Sequence, residues 1–254
     1  MFSIISKKLI LMIELLFLGV GVGVLSGFLG IGGGTILIPI LLLLGYATKE
    51  AIGISVVQMV FSSIYGSYLN NKKGTLDVGL VFVIGIGGFF GALLSGYVAA
   101  LFSAKTLEII FLAFVIFAIV RMLFIKLHES KEKELNRIYL FLIGTLVGVM
   151  SMTIGIGGSI MLVPILVGFL HVELKKAVSA GLFFVVFSSV SGLISHFLNG
   201  HVDFKSGIII GFASLFGVYI GIHLKDKVSN VFQKRVLVGF YLLIVIYLIN
   251  RIFV

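Results

Sequence analysis

The chain has 254 residues, of which 60% are hydrophobic and 11% charged, with a mean hydropathy of +1.26 and a net charge of +9. Soluble domains are nearer half apolar and one quarter charged, so a soluble enzyme or binding module is excluded. The Lys and Arg residues lie almost wholly between apolar runs, which is the charge bias of membrane loops and not a nucleic-acid surface; with no cysteine, disulfides, thiolate chemistry and iron–sulfur ligation are excluded as well.

Apolar segments run over about 9–44, 51–70, 77–101, 104–125, 138–170, 177–198, 203–223 and 231–254, each near or above the length that spans a bilayer. The composition therefore predicts an all-α polytopic membrane protein whose main partner is the lipid bilayer. The first segment follows Lys7-Lys8 without a cleavage site and is expected to be mature structure rather than a signal peptide. It carries Glu14, an ionisable group inside a span and so a candidate for proton coupling. It then meets Gly30-Ile31-Gly32-Gly33-Gly34-Thr35 and, after three apolar residues, Pro39. Glycine costs about 1 kcal/mol in a helix interior and proline removes a backbone donor. The segment is too long for one span and has no polar loop to make it two, so it is expected to be a helix that unwinds at the glycines and restarts as a half-helix. Exposed backbone cannot face lipid, so the break must be buried or line a wet cavity.

The second segment places Gln58 and, one turn later, Ser62-Ser63 and Gly66 in mid-span. The third begins at Asp77, an ordinary helix cap, and carries Gly87, Gly91 and Ser95; small residues four apart let membrane helices approach closely. After the fourth, the polar stretch 126–137 reads as a solvated linker. The second half then repeats the first. Gly155-Ile156-Gly157-Gly158-Ser159 with Pro164 matches the glycine run and proline 125 residues earlier. Val186-Phe187-Ser188-Ser189 with Gly192, Asp203, and Ala213-Gly217-Gly221 match their counterparts 126 residues earlier. Gly19 and Gly23 likewise match Gly144 and Gly148. Phe184 stands where the first half has Gln58, and His196 where it has Asn70. His196 is the one histidine within a span and is the first candidate for proton coupling, because histidine changes charge near neutral pH.

These observations divide the chain into a first transmembrane repeat over 1–125, the linker over 126–137 and a second repeat over 138–254, each with about four hydrophobic segments, the first of them broken or re-entrant. If the broken segment crosses, the repeats are parallel and Lys plus Arg divide 11 to 8 between the two sides; if it re-enters, the repeats are inverted and the division is 13 to 6. The second division fits the positive-inside bias better, and inverted repeats with discontinuous helices are a common transporter plan.

Matched glycine breaks offer freed backbone N–H groups at the start of a half-helix, where the dipole also favours an anion. The candidate substrate-binding residues are therefore Gly30, Gly32, Gly33, Gly34, Thr35, Gln58, Ser62 and Ser63 in the first half, and Gly155, Gly157, Gly158, Ser159, Ser188 and Ser189 in the second. The spacing supports no catalytic set, no Walker sequence, no HExxH and no dinucleotide fingerprint, so neither a catalytic residue nor a cofactor nor a metal is expected. Residues 19–70 and 144–198, with the run Gly30–Gly34 before Pro39, the run Gly155–Ser159 before Pro164, and Ala51, Ser55, Ala177 and Ser179 on the following helices, resemble the sulfite exporter TauE/SafE family of membrane permeases. The resemblance implies a secondary transporter, an exporter in the cytoplasmic membrane of a prokaryote, that moves a small anion such as sulfite or an organosulfonate. An anion channel and a non-transporting membrane scaffold remain the alternatives.

Overall fold

The computed structural model describes residues 2–124, 135–200 and 202–253, and among them eleven helices and no strand. In chain order these are α1 Phe2–Leu29, α2 Gly34–Leu43, α3 Thr48–Lys72, α4 Val78–Ala92, α5 Ser95–Leu101, α6 Ala104–Phe124, α7 Arg137–Thr153, α8 Ser159–Phe169, α9 Leu174–Leu198, α10 Phe204–Lys227 and α11 Asn230–Phe253. Six are long and apolar enough to cross a membrane, or seven if the pair α4 and α5 counts as one span. The chain is thus an all-helical, multi-pass membrane protein. The span expected over 77–101 is two helices bent by 42°, and most of the linker expected over 126–137 lies outside the described residues.

Asp77 and Asp203 are helix caps, as their positions predicted: Asp77 accepts from the N–H of Gly79, and Asp203 from those of Lys205 and Ser206. The small-residue stripes are packing surfaces. A Cβ on Gly87 or Gly91 would collide with the backbone of Phe141 or Thr145, and one on Gly217 or Gly221 with that of Val20 or Val24. Backbones at that distance gain dispersion contacts that larger side chains would forbid, which is how membrane helices associate without a hydrophobic drive.

The order of such contacts gives helix direction. Gly19, Gly23 and Gly27 of α1 meet Ile210, Ser214 and Val218 of α10 in sequence, so these two helices run parallel. Gly144 and Gly148 of α7 meet Ile84 and Gly88 of α4 in the same sense. Polar contacts then sort the helix ends onto two faces. On the first face Thr48 Oγ1 donates to Glu108 Oε1 at 2.7 Å, Arg251 Nε donates to the same oxygen at 3.3 Å, and Arg251 Nη1 reaches the carbonyl of Leu42 at 3.4 Å. This gathers the end of α2, the starts of α3 and α6, and the end of α11. On the second face Lys73 pairs with Asp226, Asn230 Nδ2 donates to Glu173 Oε1 at 3.2 Å, and the Arg121 guanidinium lies 4.1 Å from the Phe169 ring centre. This gathers the ends of α3, α6, α8 and α10 and the starts of α9 and α11. The α1–α2 hairpin opens toward the first face and the α7–α8 hairpin toward the second, and their tips meet in the interior.

Candidate functional site

Each hairpin tip is a short run of residues whose backbone only glycine adopts readily. Gly30, Gly32 and Gly33 have φ of 71°, 73° and 86°, and Gly155, Gly157 and Gly158 have 72°, 81° and 85°. Gly33 and Gly158 then cap α2 and α8. The carbonyl of Gly33 accepts from Ile36 and Leu37 at 3.0 and 2.9 Å, and that of Gly158 from Met161 and Leu162 at 3.1 and 2.9 Å. The N–H groups before them, on Gly34 and Thr35 and on Ser159 and Ile160, have no acceptor among the described residues. Such groups are the orphan donors of a helix start. Pro39 and Pro164 lie inside the two half-helices, where each also deprives the carbonyl four residues back of its usual donor.

The carbonyls of the tips are held by serines. Ser62 Oγ donates to Gly32 at 3.4 Å, Ser188 Oγ to Gly157 at 3.1 Å, and Ser55 Oγ to Gly155 at 2.9 Å. Carbonyls are thus drawn toward α3 and α9 while the N–H ends of α2 and α8 stay unclaimed. Ser63 and Ser189 bond only to carbonyls of their own helices, at Val60 and Val186, so they are not part of this frame. Ser55 was not among the expected site residues; a serine on one helix gives no signal for a carbonyl brought to it from another.

The two tips touch. A Cβ on Gly34 would strike the carbonyl oxygen of Gly155, and Val185 packs against both Gly32 and Gly157. Met59 Sδ lies against Gly34 and Gly157 in the same way. Gln58 sets its amide against Gly33, with Nε2 at 2.8 Å from where a Cβ would be, and Phe184 sets its ring against Gly158. Thr35, Gln58, Ser62, Ser159 and Ser188 are all fully buried. Of these, Thr35 Oγ1, Ser159 Oγ and both polar atoms of Gln58 lack any hydrogen-bond partner, as does Ser26 Oγ on α1. Buried polar groups are almost always satisfied, and an unmet one costs about 1–3 kcal/mol. Several such groups lie together here, beside orphan N–H groups.

His196 is fully buried, and its Nε2 lies 2.9 Å from the carbonyl of Met152, which ends the helix leading into the second tip. It touches the second hairpin through this contact. Glu14 is different. It is exposed on the outer surface of α1, sixteen residues before Gly30, or about 24 Å along a helix axis, and the structure does not bring it to the tips. An ionisable residue within an apolar run looks functional in sequence, but only packing decides which side of the helix is inward. Among the described residues no three His, Cys, Asp or Glu side chains cluster as metal ligands.

The family model for the sulfite exporter TauE/SafE matches residues 15–248. The chain is 25% identical to "Probable membrane transporter protein YunE" of Bacillus subtilis, over 85% of this chain and 89% of the relative. It is 27% identical to "Probable membrane transporter protein YdhB" of the same organism, with the same coverage. It is 26% identical to "Probable membrane transporter protein MJ0441" of Methanocaldococcus jannaschii, over 87% of this chain and 89% of the relative. No solved structure matches it. With two glycine-tipped hairpins in a helical membrane protein and a family match spanning nearly its whole length, the chain belongs to the sulfite exporter TauE/SafE family.

Proposed function

We propose that the protein is a secondary transporter of small anions, and that sulfite or organosulfonates are its substrates. The observation that carries this reading is the meeting of the two hairpin tips, where the start of α2 at Gly34 lies against Gly155, with orphan N–H groups and the unpartnered polar atoms of Thr35, Ser159 and Gln58 around them. Partial positive charge converges there from two helix dipoles, without a cation that would hold an anion too tightly to release. A pyramidal or tetrahedral oxyanion offers enough acceptor lone pairs to use all of these donors at once.

The site is closed in this conformation, so transport requires the hairpins to part from α3 and α9 toward one face at a time. In this reading residues 1–125 and 138–254 act as inverted repeats joined by 126–137, each moving against the other around the tips. The second face carries Lys72, Lys73, Arg121, Arg137, Lys175, Lys176, Lys225, Lys227, Lys234 and Arg235 at its helix ends. The positive-inside bias assigns that face to the cytoplasm of a prokaryotic cell membrane. His196, against the second hairpin, serves proton coupling, and Gln58 opposite Phe184 makes the site asymmetric.

Flux of sulfite and of methanesulfonate into proteoliposomes, with and without a pH gradient, tests the reading. A transporter gives saturable flux that follows the proton gradient. Non-saturable flux insensitive to it would make the protein a channel, and no flux with no anion-dependent thermal shift would make it a scaffold.

A further inference from the structure

Lys225 is fully buried near the end of α10, and the carboxylate that acts on its ammonium, that of Asp226, is ion-paired to Lys73. Its Nζ donates to Asn70 Oδ1 at 2.7 Å and to Ser179 Oγ at 3.0 Å. The neighbouring Asp226 turns outward and pairs with Lys73 instead. An ammonium has three N–H donors, so one remains beyond these two acceptors. Asn70 Nδ2 is also buried without a partner. The acceptors nearby are already in use: Ser179 Oγ is 3.0 Å from both Thr75 Oγ1 and the Lys175 carbonyl, and Asn70 O accepts from Thr75 at 3.2 Å. Lys73, Lys175 and Lys225 against the single carboxylate of Asp226 leave the cluster positive. A buried cation that shares one carboxylate with other cations is costly, and such residues are rare in membrane proteins unless they act on a substrate.

The position is informative too. Asn70 ends α3, Ser179 begins α9 and Lys225 ends α10, so the cluster closes the second face where these three helices converge. Val178, next to Ser179, packs directly on Gly30, the first residue of the first hairpin tip. The cluster therefore borders the tips on one side and the Lys73–Asp226 pair at the surface on the other. The corresponding positions 126 residues earlier hold Gly53 and Ala99, so the first face has no such cation.

We propose that Lys225, Asn70 and Ser179 form a second anion-binding site, which captures a small oxyanion at the second face before it reaches the glycine tips. The substrate supplies the negative charge that the shared Asp226 carboxylate leaves short at Lys225. The free ammonium hydrogen and the Asn70 amide donate to two of its oxygens. The Lys73–Asp226 pair covers the site and must separate to admit the anion. The inference deepens the transport reading and rests on it for the direction of passage, but the binding itself is tested separately.

Purified protein is titrated with sodium sulfite and with methanesulfonate at constant ionic strength, and binding is followed by thermal shift and calorimetry. Lys225→Met keeps the length of the side chain and removes the charge; apparent affinity is expected to fall at least tenfold, with Lys225→Arg largely restoring it. Asn70→Asp supplies an internal carboxylate that satisfies Lys225, so the variant is expected to be folded, at least as thermostable as the wild type, and to lose apparent affinity at least tenfold, as Lys225→Met does. Gly33→Val blocks the tips and is expected to stop flux while leaving this binding in place. Wild-type affinity in both Lys225→Met and Asn70→Asp overturns the proposal. If Gly33→Val alone removes binding, the tips are the only site and the transport reading stands without this one. Normal flux in Gly33→Val together with normal binding in the Lys225 variants removes both.

Discussion

The amide of Gln58 occupies the space into which a side chain on Gly33 would project, and neither of its polar atoms has a hydrogen-bond partner there. At the matching place of the second hairpin, the ring of Phe184 fills the space before Gly158. A polar amide is thus buried at a cost, where an aromatic ring packs without one.

Gln58→Leu separates stability from function. Removing an unmet buried amide is expected to stabilise the protein by about 1–3 kcal/mol, read as a rise of a few degrees in Tm. Flux should fall at least tenfold in the same variant. A stabilised variant that transports normally would take Gln58 out of the site.

Gly33→Val and Gly158→Val each place a branched side chain on backbone at φ near +85° and against Gln58 or Phe184. Loss of transport is expected in both, with protein still inserted in the membrane. Gly34→Ala is a finer probe, because Gly34 lies in α2 and its obstacle is a backbone carbonyl, that of Gly155, which cannot swing aside. A single methyl group should then destabilise by about 1–3 kcal/mol and abolish flux by forcing the tips apart. Wild-type flux in all three would mean that the tips do not contact substrate.

His196→Asn makes the second half match Asn70 of the first and keeps a polar side chain. Its contact with the Met152 carbonyl can be replaced by the amide, so binding of sulfite is expected to survive. Proton-driven flux should fall at least tenfold, about 1.4 kcal/mol in barrier. An unchanged dependence of flux on the pH gradient would remove His196 from the coupling.

Orientation in the membrane is open to direct labelling, because the chain has no cysteine. Single cysteines at Lys72, Lys175 and Lys227, all at helix ends of the second face, should resist an impermeant thiol reagent in intact cells. Cysteines at Ser103 and Lys205 should react. Protection at Lys72 with labelling at Lys175 would contradict the assignment of both to one face.

Local chemistry made part of this protein legible from residues alone. The membrane class follows from composition. The hairpin tips follow from Gly30–Gly34 and Gly155–Gly158, because positive φ and a missing donor at proline are properties of single residues. The close-packed stripes at Gly87, Gly91, Gly217 and Gly221 follow from side-chain size. Tertiary structure decided the rest, since contacts between distant residues leave no local mark. It turned Ser62 and Ser188 onto the tip carbonyls but left Ser63 and Ser189 on their own helices, although each pair is adjacent in sequence. It set Glu14 on the outer surface. Lys225 reads in sequence as one more loop-end cation beside Asp226 and Lys227; only the convergence of three helix ends buries it between Asn70 and Ser179 while its neighbour Asp226 pairs elsewhere.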